Sequence, residues 1–133
     1  MRLAHEARRI ASQHAYLDAL EATTLRALER GDPVEMRQAL DGFRGSLDSH
    51  FTLEEQVHFP ALHGLRAEWE AQLLALVREH QRFRSVLAEL TAGARRSPPD
   101  AAELAAAFRE LTAELGRHEQ REEQLLAQAP HQP

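Results

Sequence analysis

Six residues of this chain combine ligand chemistry with regular spacing. His50 and Glu54 stand four apart, as do His118 and Glu122, and the lone His14 and His80 precede these pairs by 36 and 38 residues. Imidazole and carboxylate suit divalent ions of the first transition row, and a carboxylate has two oxygens with which to bridge a pair of ions. Four residues is one helical turn, so each His and its Glu share a helix face. The order lone His, then His-x3-Glu-Glu, occurs twice, over His50–Glu55 and His118–Glu123. It reads as a duplicated helical hairpin. Two such hairpins can close into a four-helix bundle, bringing His14, His50, Glu54, His80, His118 and Glu122 to its axis.

Buried imidazoles and carboxylates that face only one another are costly, and a bound cation removes that cost. The sequence has no cysteine, which excludes disulfides, thiolate catalysis and soft sulfur sites and leaves nitrogen and oxygen as ligand atoms. Iron, manganese and zinc all suit such donors, and a bridging carboxylate favours two ions.

The elements that must position these residues are helices. Ala, Leu, Glu, Arg and Gln dominate while β-branched and aromatic residues are sparse, a composition that favours an all-α chain. Breaks fall at Gly31-Asp32-Pro33, around His63-Gly64, and at Ser97-Pro98-Pro99-Asp100, where Asp can cap and Pro can begin a helix. Four helices are predicted, from Leu3 to Arg30, Pro33 to Leu62, Arg66 to Arg95 and Pro99 to Gln128. At ~1.5 Å per residue each is about 40 Å long, and short connections make sequential helices antiparallel. The expected architecture is an antiparallel up-down-up-down four-helix bundle, one domain over residues 1–133.

Each helix carries an apolar seam with 4,3 spacing. It runs through Leu3, Ala7, Ile10, His14 and Leu17 in the first helix. In the second it is Phe43, Leu47, His50, Glu54, Val57 and Ala61; in the third, Leu73, Val77, His80, Arg84 and Leu87. The fourth has Leu104, Phe108, Leu111, Leu115, His118, Glu122 and Leu125. Glu55 and Glu123 point about 100° away from their neighbours on an ideal helix, which makes them solvated or supporting groups. His58 falls one position beyond the seam and outside the expected site. His5, His63 and His131 read as surface residues, the phenylalanines as packing residues, and Trp69 as lying at one end of the bundle. Gly42 and Gly45 depart from good helix formers and imply a bend or a close contact.

The 133 residues are enough for one domain with its own core. A net charge of -5, with sixteen Arg and no Lys, offers no basic footprint for nucleic acid or an anionic membrane. The sequence has no apolar signal core and no run of about 18 apolar residues, so the expected location is the cytoplasm. Arg in place of Lys, with abundant Ala and Leu, suggests a GC-rich bacterial genome.

The repeated His and His-x3-Glu-Glu, with Val57-His58-Phe59-Pro60 after the first copy, resembles the hemerythrin-like (HHE cation-binding) domain over nearly the whole chain. The resemblance implies a four-helix bundle holding a non-haem di-iron centre. One iron would take His14 and His50, the other His80 and His118, with Glu54 and Glu122 bridging; zinc or manganese could substitute. Oxygen-carrying hemerythrins have a second histidine on the third helix where this chain has Arg84, so the resemblance implies that one iron loses a histidine and could keep a water or an open position. Arg84 and Asp18 occupy equivalent places in the two repeats; Arg84 is expected to pair with Asp18 or to run its stem to the surface. The implied function is binding of oxygen, nitric oxide or peroxide for sensing, storage or protection. A di-iron redox enzyme or an iron donor for repair is the alternative. A ferritin-like carboxylate site fits less well, since only Glu55 and His58 form a Glu-x2-His pair. A scaffold bundle with an incidental metal is the remaining reading.

Overall fold

Asp32 and Asp100 begin two of the helices in the way their side chains favour. Each carboxylate accepts a hydrogen bond from the backbone N–H three residues on, Asp32 from Glu35 at 2.9 Å and Asp100 from Glu103 at 3.1 Å. Gly31 closes the preceding helix at φ +76, a left-handed conformation that costs glycine little. The computed structural model describes residues 2–65 and 67–128, with the backbone alone for residues 2–7 and 65. The expectations for His131, for Arg66, and for the side chains of Leu3, His5 and Ala7 therefore lie outside the described residues.

The helices are α1 (Arg2–Arg30), α2 (Pro33–Leu53), α3 (Phe59–Leu65), α4 (Glu70–Ala94) and α5 (Ala101–Ala127). A π turn at Glu54–His58 joins α2 to α3, and a 3₁₀ turn at Ala67–Trp69 leads into α4. No strand occurs among the described residues. The long helices pack in a ring, α1 on α2, α2 on α4, α4 on α5 and α5 on α1, which is a four-helix bundle. No described helix is long and apolar enough to cross a membrane.

One apolar core, including Leu17, Met36, Phe43, Leu87 and Phe108, fills the half of the bundle nearest the Gly31 turn. A smaller one, with Phe59, Leu62, Trp69, Leu73, Leu76 and Leu125, seals the other end. Trp69 thus lies where the sequence places it. The band of polar ligand residues separates these two cores.

The second predicted helix is interrupted. Pro60 has no N–H to give to the carbonyl of Gln56, and its ring would crowd that carbonyl in a regular helix. The chain widens instead, and the Phe59 N–H bonds to Glu54 O, five residues back. The extra residue rotates everything that follows, which corrects the predicted seam. Val57 is 45% exposed, whereas His58, Phe59 and Leu62 are buried.

Candidate metal centre

The four long helices deliver the six predicted residues to one place. His14 comes from α1, His50 from α2, Glu54 from the first position of the π turn, His80 from α4, and His118 and Glu122 from α5. All six are buried. Ligand atoms of His14, His50, Glu54 and Glu122 lie within 4.8 Å of one another, and so do those of His80, His118, Glu54 and Glu122. These are two adjoining cages with both carboxylates in common.

The outward edges of the rings fix which nitrogen faces the cage. His80 Nδ1 donates to Glu55 Oε2, His118 Nδ1 to Glu79 Oε1 and His50 Nδ1 to Gln13 Oε1, each at 2.6 Å. His14 Nδ1 faces Glu119 at 3.4 Å and Glu123 at 3.5 Å. A neutral imidazole that donates from Nδ1 carries its lone pair on Nε2, so His50 and His80 turn lone pairs inward. Burial holds His50 and His80 down at about 4, which keeps both neutral. Burial also opposes protonation of His14, but Glu122, Glu119 and Glu123 outweigh it and raise that pKa.

The cage as it stands is frustrated. His80 Nε2 and His118 Nε2 face each other at 3.2 Å. Glu54 Oε1 is 3.2 Å from His80 Nε2 and 3.3 Å from His50 Nε2, but a ring whose proton sits on Nδ1 has none to offer there. Both oxygens of Glu54 and of Glu122, with His14 Nε2, are buried without a hydrogen-bond partner. Burial and the facing Glu122 carboxylate push Glu54 well above the usual range. Burial would raise Glu122 as well, but the adjoining Glu54 carboxyl and the His118 and His14 rings, 2.7 Å and 3.4 Å away, hold it low. Lone pairs and carboxylate oxygens converging in a buried space are the donors a cation needs, and orphaned atoms of this kind are costly without one. The residues present therefore fit a metal.

Several groups lie elsewhere than expected. Arg84 does not reach Asp18. Its Nε donates to Asp48 at 2.7 Å and its Nη1 to Glu55 at 2.9 Å, and its side chain, 25% exposed, runs outward as the second sequence expectation allows. Glu55 turns inward onto His80, while Glu123 stays exposed. His58 is fully buried by the wide turn. His63 is exposed. Phe51 stacks on His80 at 3.8 Å with the planes 10° apart, and Phe83 meets His118 edge-on at 5.4 Å; packing rings thus also wall the site.

Sequence reasoning missed Gln13, Glu79 and Glu119. The duplication carried the signal. Gln13 and Glu79 each directly precede a lone histidine, and each bonds the motif histidine of its own repeat. Glu55 and Glu123 each directly follow a motif glutamate, and each faces the lone histidine of the other repeat.

A four-helix bundle with two His/Glu cages on its axis defines a metal-binding helical protein. The model of the hemerythrin HHE cation binding domain matches residues 5–129, and the chain belongs to that family. No curated protein and no solved structure matches it.

Proposed function

We propose that this protein holds two non-haem iron ions and binds a small ligand, dioxygen, nitric oxide or peroxide, for sensing, storage or protection. The observation that carries the reading is the pair of adjoining cages that share Glu54 and Glu122. His14 and His50 would hold one ion and His80 and His118 the other. Two imidazoles with carboxylates form the donor set that leaves non-haem iron with positions for a small ligand. Two ferrous ions together supply two electrons, the amount that reduction of dioxygen to the peroxide level requires.

The chain's own residues set the conditions. Glu55, Glu79 and Gln13 orient the rings through Nδ1. Phe51, Phe59 and Phe83 keep water from the His80 and His118 side. Arg84, committed to Asp48 and Glu55, adds no fifth histidine and takes up no space in the cage. The same reading takes the chain as one domain acting in the cytoplasm, with no nucleic-acid partner, in keeping with its net charge of -5.

The test is anaerobic reconstitution with ferrous iron, followed by optical spectra with dioxygen and with nitric oxide. Reversible spectral change supports a binding protein, and sustained oxidant consumption supports the alternative of a redox enzyme. Iron-loaded protein whose spectrum neither gas alters would overturn the proposal.

A further inference from the structure

The duplication is broken at two positions, and both breaks favour the same cage. Where the second repeat has Glu79 against His118, the first has the neutral Gln13 against His50. Where the second has Arg84, the first has Asp18. Arg84 clasps Glu55 and holds it on His80, with Glu55 Oε2 2.6 Å from Nδ1 and 2.9 Å from the guanidinium. Asp18 cannot clasp a carboxylate. Glu123, the counterpart of Glu55, accordingly remains 59% exposed and 3.5 Å from His14. Arg121 similarly fastens Glu79 beneath His118.

The surroundings differ in the same sense. Phe51 and Phe59 stack along His80, and Phe83 closes over His118. On the other side, Glu119 touches His14 and has Asp18 and Glu21 beside it, with Asp18 exposed. One cage is thus pinned and walled by aromatic rings. The other is held by a neutral amide at His50 and by longer contacts of 3.4 and 3.5 Å at His14, and it borders Glu119, Glu21 and the exposed Asp18.

We propose that the two metal positions are inequivalent: the His80–His118 position fills first and retains its ion, while the His14–His50 position fills second and exchanges. This rests on the dinuclear reading above. A carboxylate on the far nitrogen of a ligating imidazole fixes the ring and strengthens it as a donor, and losing such a partner typically costs about 10- to 100-fold in metal affinity. Gln13 and Glu79 are positioning residues in this scheme, and the difference between them is one charge with little change of shape.

The experiment is anaerobic titration calorimetry with ferrous iron, and separately with manganous ion alone, followed by timed removal with a chelator. The expected result is two resolved steps and two removal rates. Glu79→Gln should weaken the first step by about tenfold or more, and Gln13→Glu should tighten the second step to a similar extent. Adding Asp18→Arg to Gln13→Glu should bring the two removal rates together, and circular dichroism checks that each variant is folded. Binding of both ions in a single step, equal removal rates in the native chain, or a Gln13→Glu effect on the first step would overturn the inequivalence and leave the dinuclear reading intact. A native chain that binds neither ion would overturn both.

Discussion

His80 and His118 point their Nε2 atoms at each other across 3.2 Å, although both rings donate outward from Nδ1. The contact sets two ligand nitrogens against each other beside carboxylate oxygens that lack hydrogen bonds. Metal binding satisfies these buried ligand atoms, so the metal-free protein should melt well below the iron-loaded one. Each site occupied at a hundred times its Kd adds about 2.7 kcal/mol. Scanning calorimetry with and without ferrous iron checks this, and coincident melting temperatures would refute it.

Sharing of Glu54 and Glu122 makes the ligands unequal in reach. His14 belongs to one cage only, whereas Glu54 belongs to both. His14→Ala should lower the metal content from about two ions per chain to about one. Glu54→Ala should lower the affinity for both. Elemental analysis after gel filtration distinguishes the two variants, and loss of a single ion from Glu54→Ala would contradict a bridging role.

Arg84 acts through Glu55. Truncation in Arg84→Ala should release that carboxylate from its clasp and weaken the first metal-binding step, while iron content at saturation stays unchanged. The stability cost is modest, about 1 kcal/mol or less, because the ion pairs are partly exposed. Urea unfolding and metal titration read the two effects separately. Loss of one ion at saturation would show that Arg84 has a larger part in the site.

The metal-free protein should lose stability as pH rises from 6.5 to 8. Burial, with Glu119 and Asp18 nearby, raises Glu21 to about 8. Burial raises Glu119 to about 7, with Asp18 and Glu122 adding to it against His14 and His118. Both groups hold protons in the folded state that the unfolded chain has already released, so stability declines as pH climbs through these values. His50 and His80, held at about 4, contribute with the opposite sign, but only between about 4 and 6.5, where the unfolded chain takes up protons that the folded chain refuses. Urea midpoints across this range should fall, and Glu21→Gln should flatten the slope. A midpoint that rises between pH 6.5 and 8 would contradict the assignment.

Gly42 and Gly45 admit no close neighbour. A Cβ built at either position meets nothing within 4 Å. Gly42→Ala and Gly45→Ala should each stabilise the protein by about 0.5–1 kcal/mol, measurable as a higher denaturant midpoint with unchanged slope.

These cases show what the sequence makes legible. Spacing alone places His14, His50, Glu54, His80, His118 and Glu122 on inward faces, because a ligand on a helical seam obeys the same period as the core around it. The α5 seam from Leu104 to Leu125 is buried throughout as predicted. The seam beyond Glu54 fails because one proline changes the local period. The partners of Arg84, Asp48 and Glu55, lie 36 and 29 residues away on other elements, and no period within α4 encodes them. Gln13 and Glu79 were readable only by comparing the repeats at the positions before each lone histidine.

The crossed origin of the two carboxylates has a mechanical consequence. Glu122 comes from the second hairpin yet lies among the histidines of the first, and Glu54 comes from the first yet lies among the histidines of the second. An ion in one cage would fasten α1 and α2 to α5, and an ion in the other would fasten the end of α2 to α4 and α5. In a chain without cysteine, a pair of ions would rivet residues as distant in sequence as His14 and Glu122, closing loops that a flexible chain closes only at an entropic cost. Such a rivet could be withdrawn, and the tightness of the whole bundle would then report how much metal it carries.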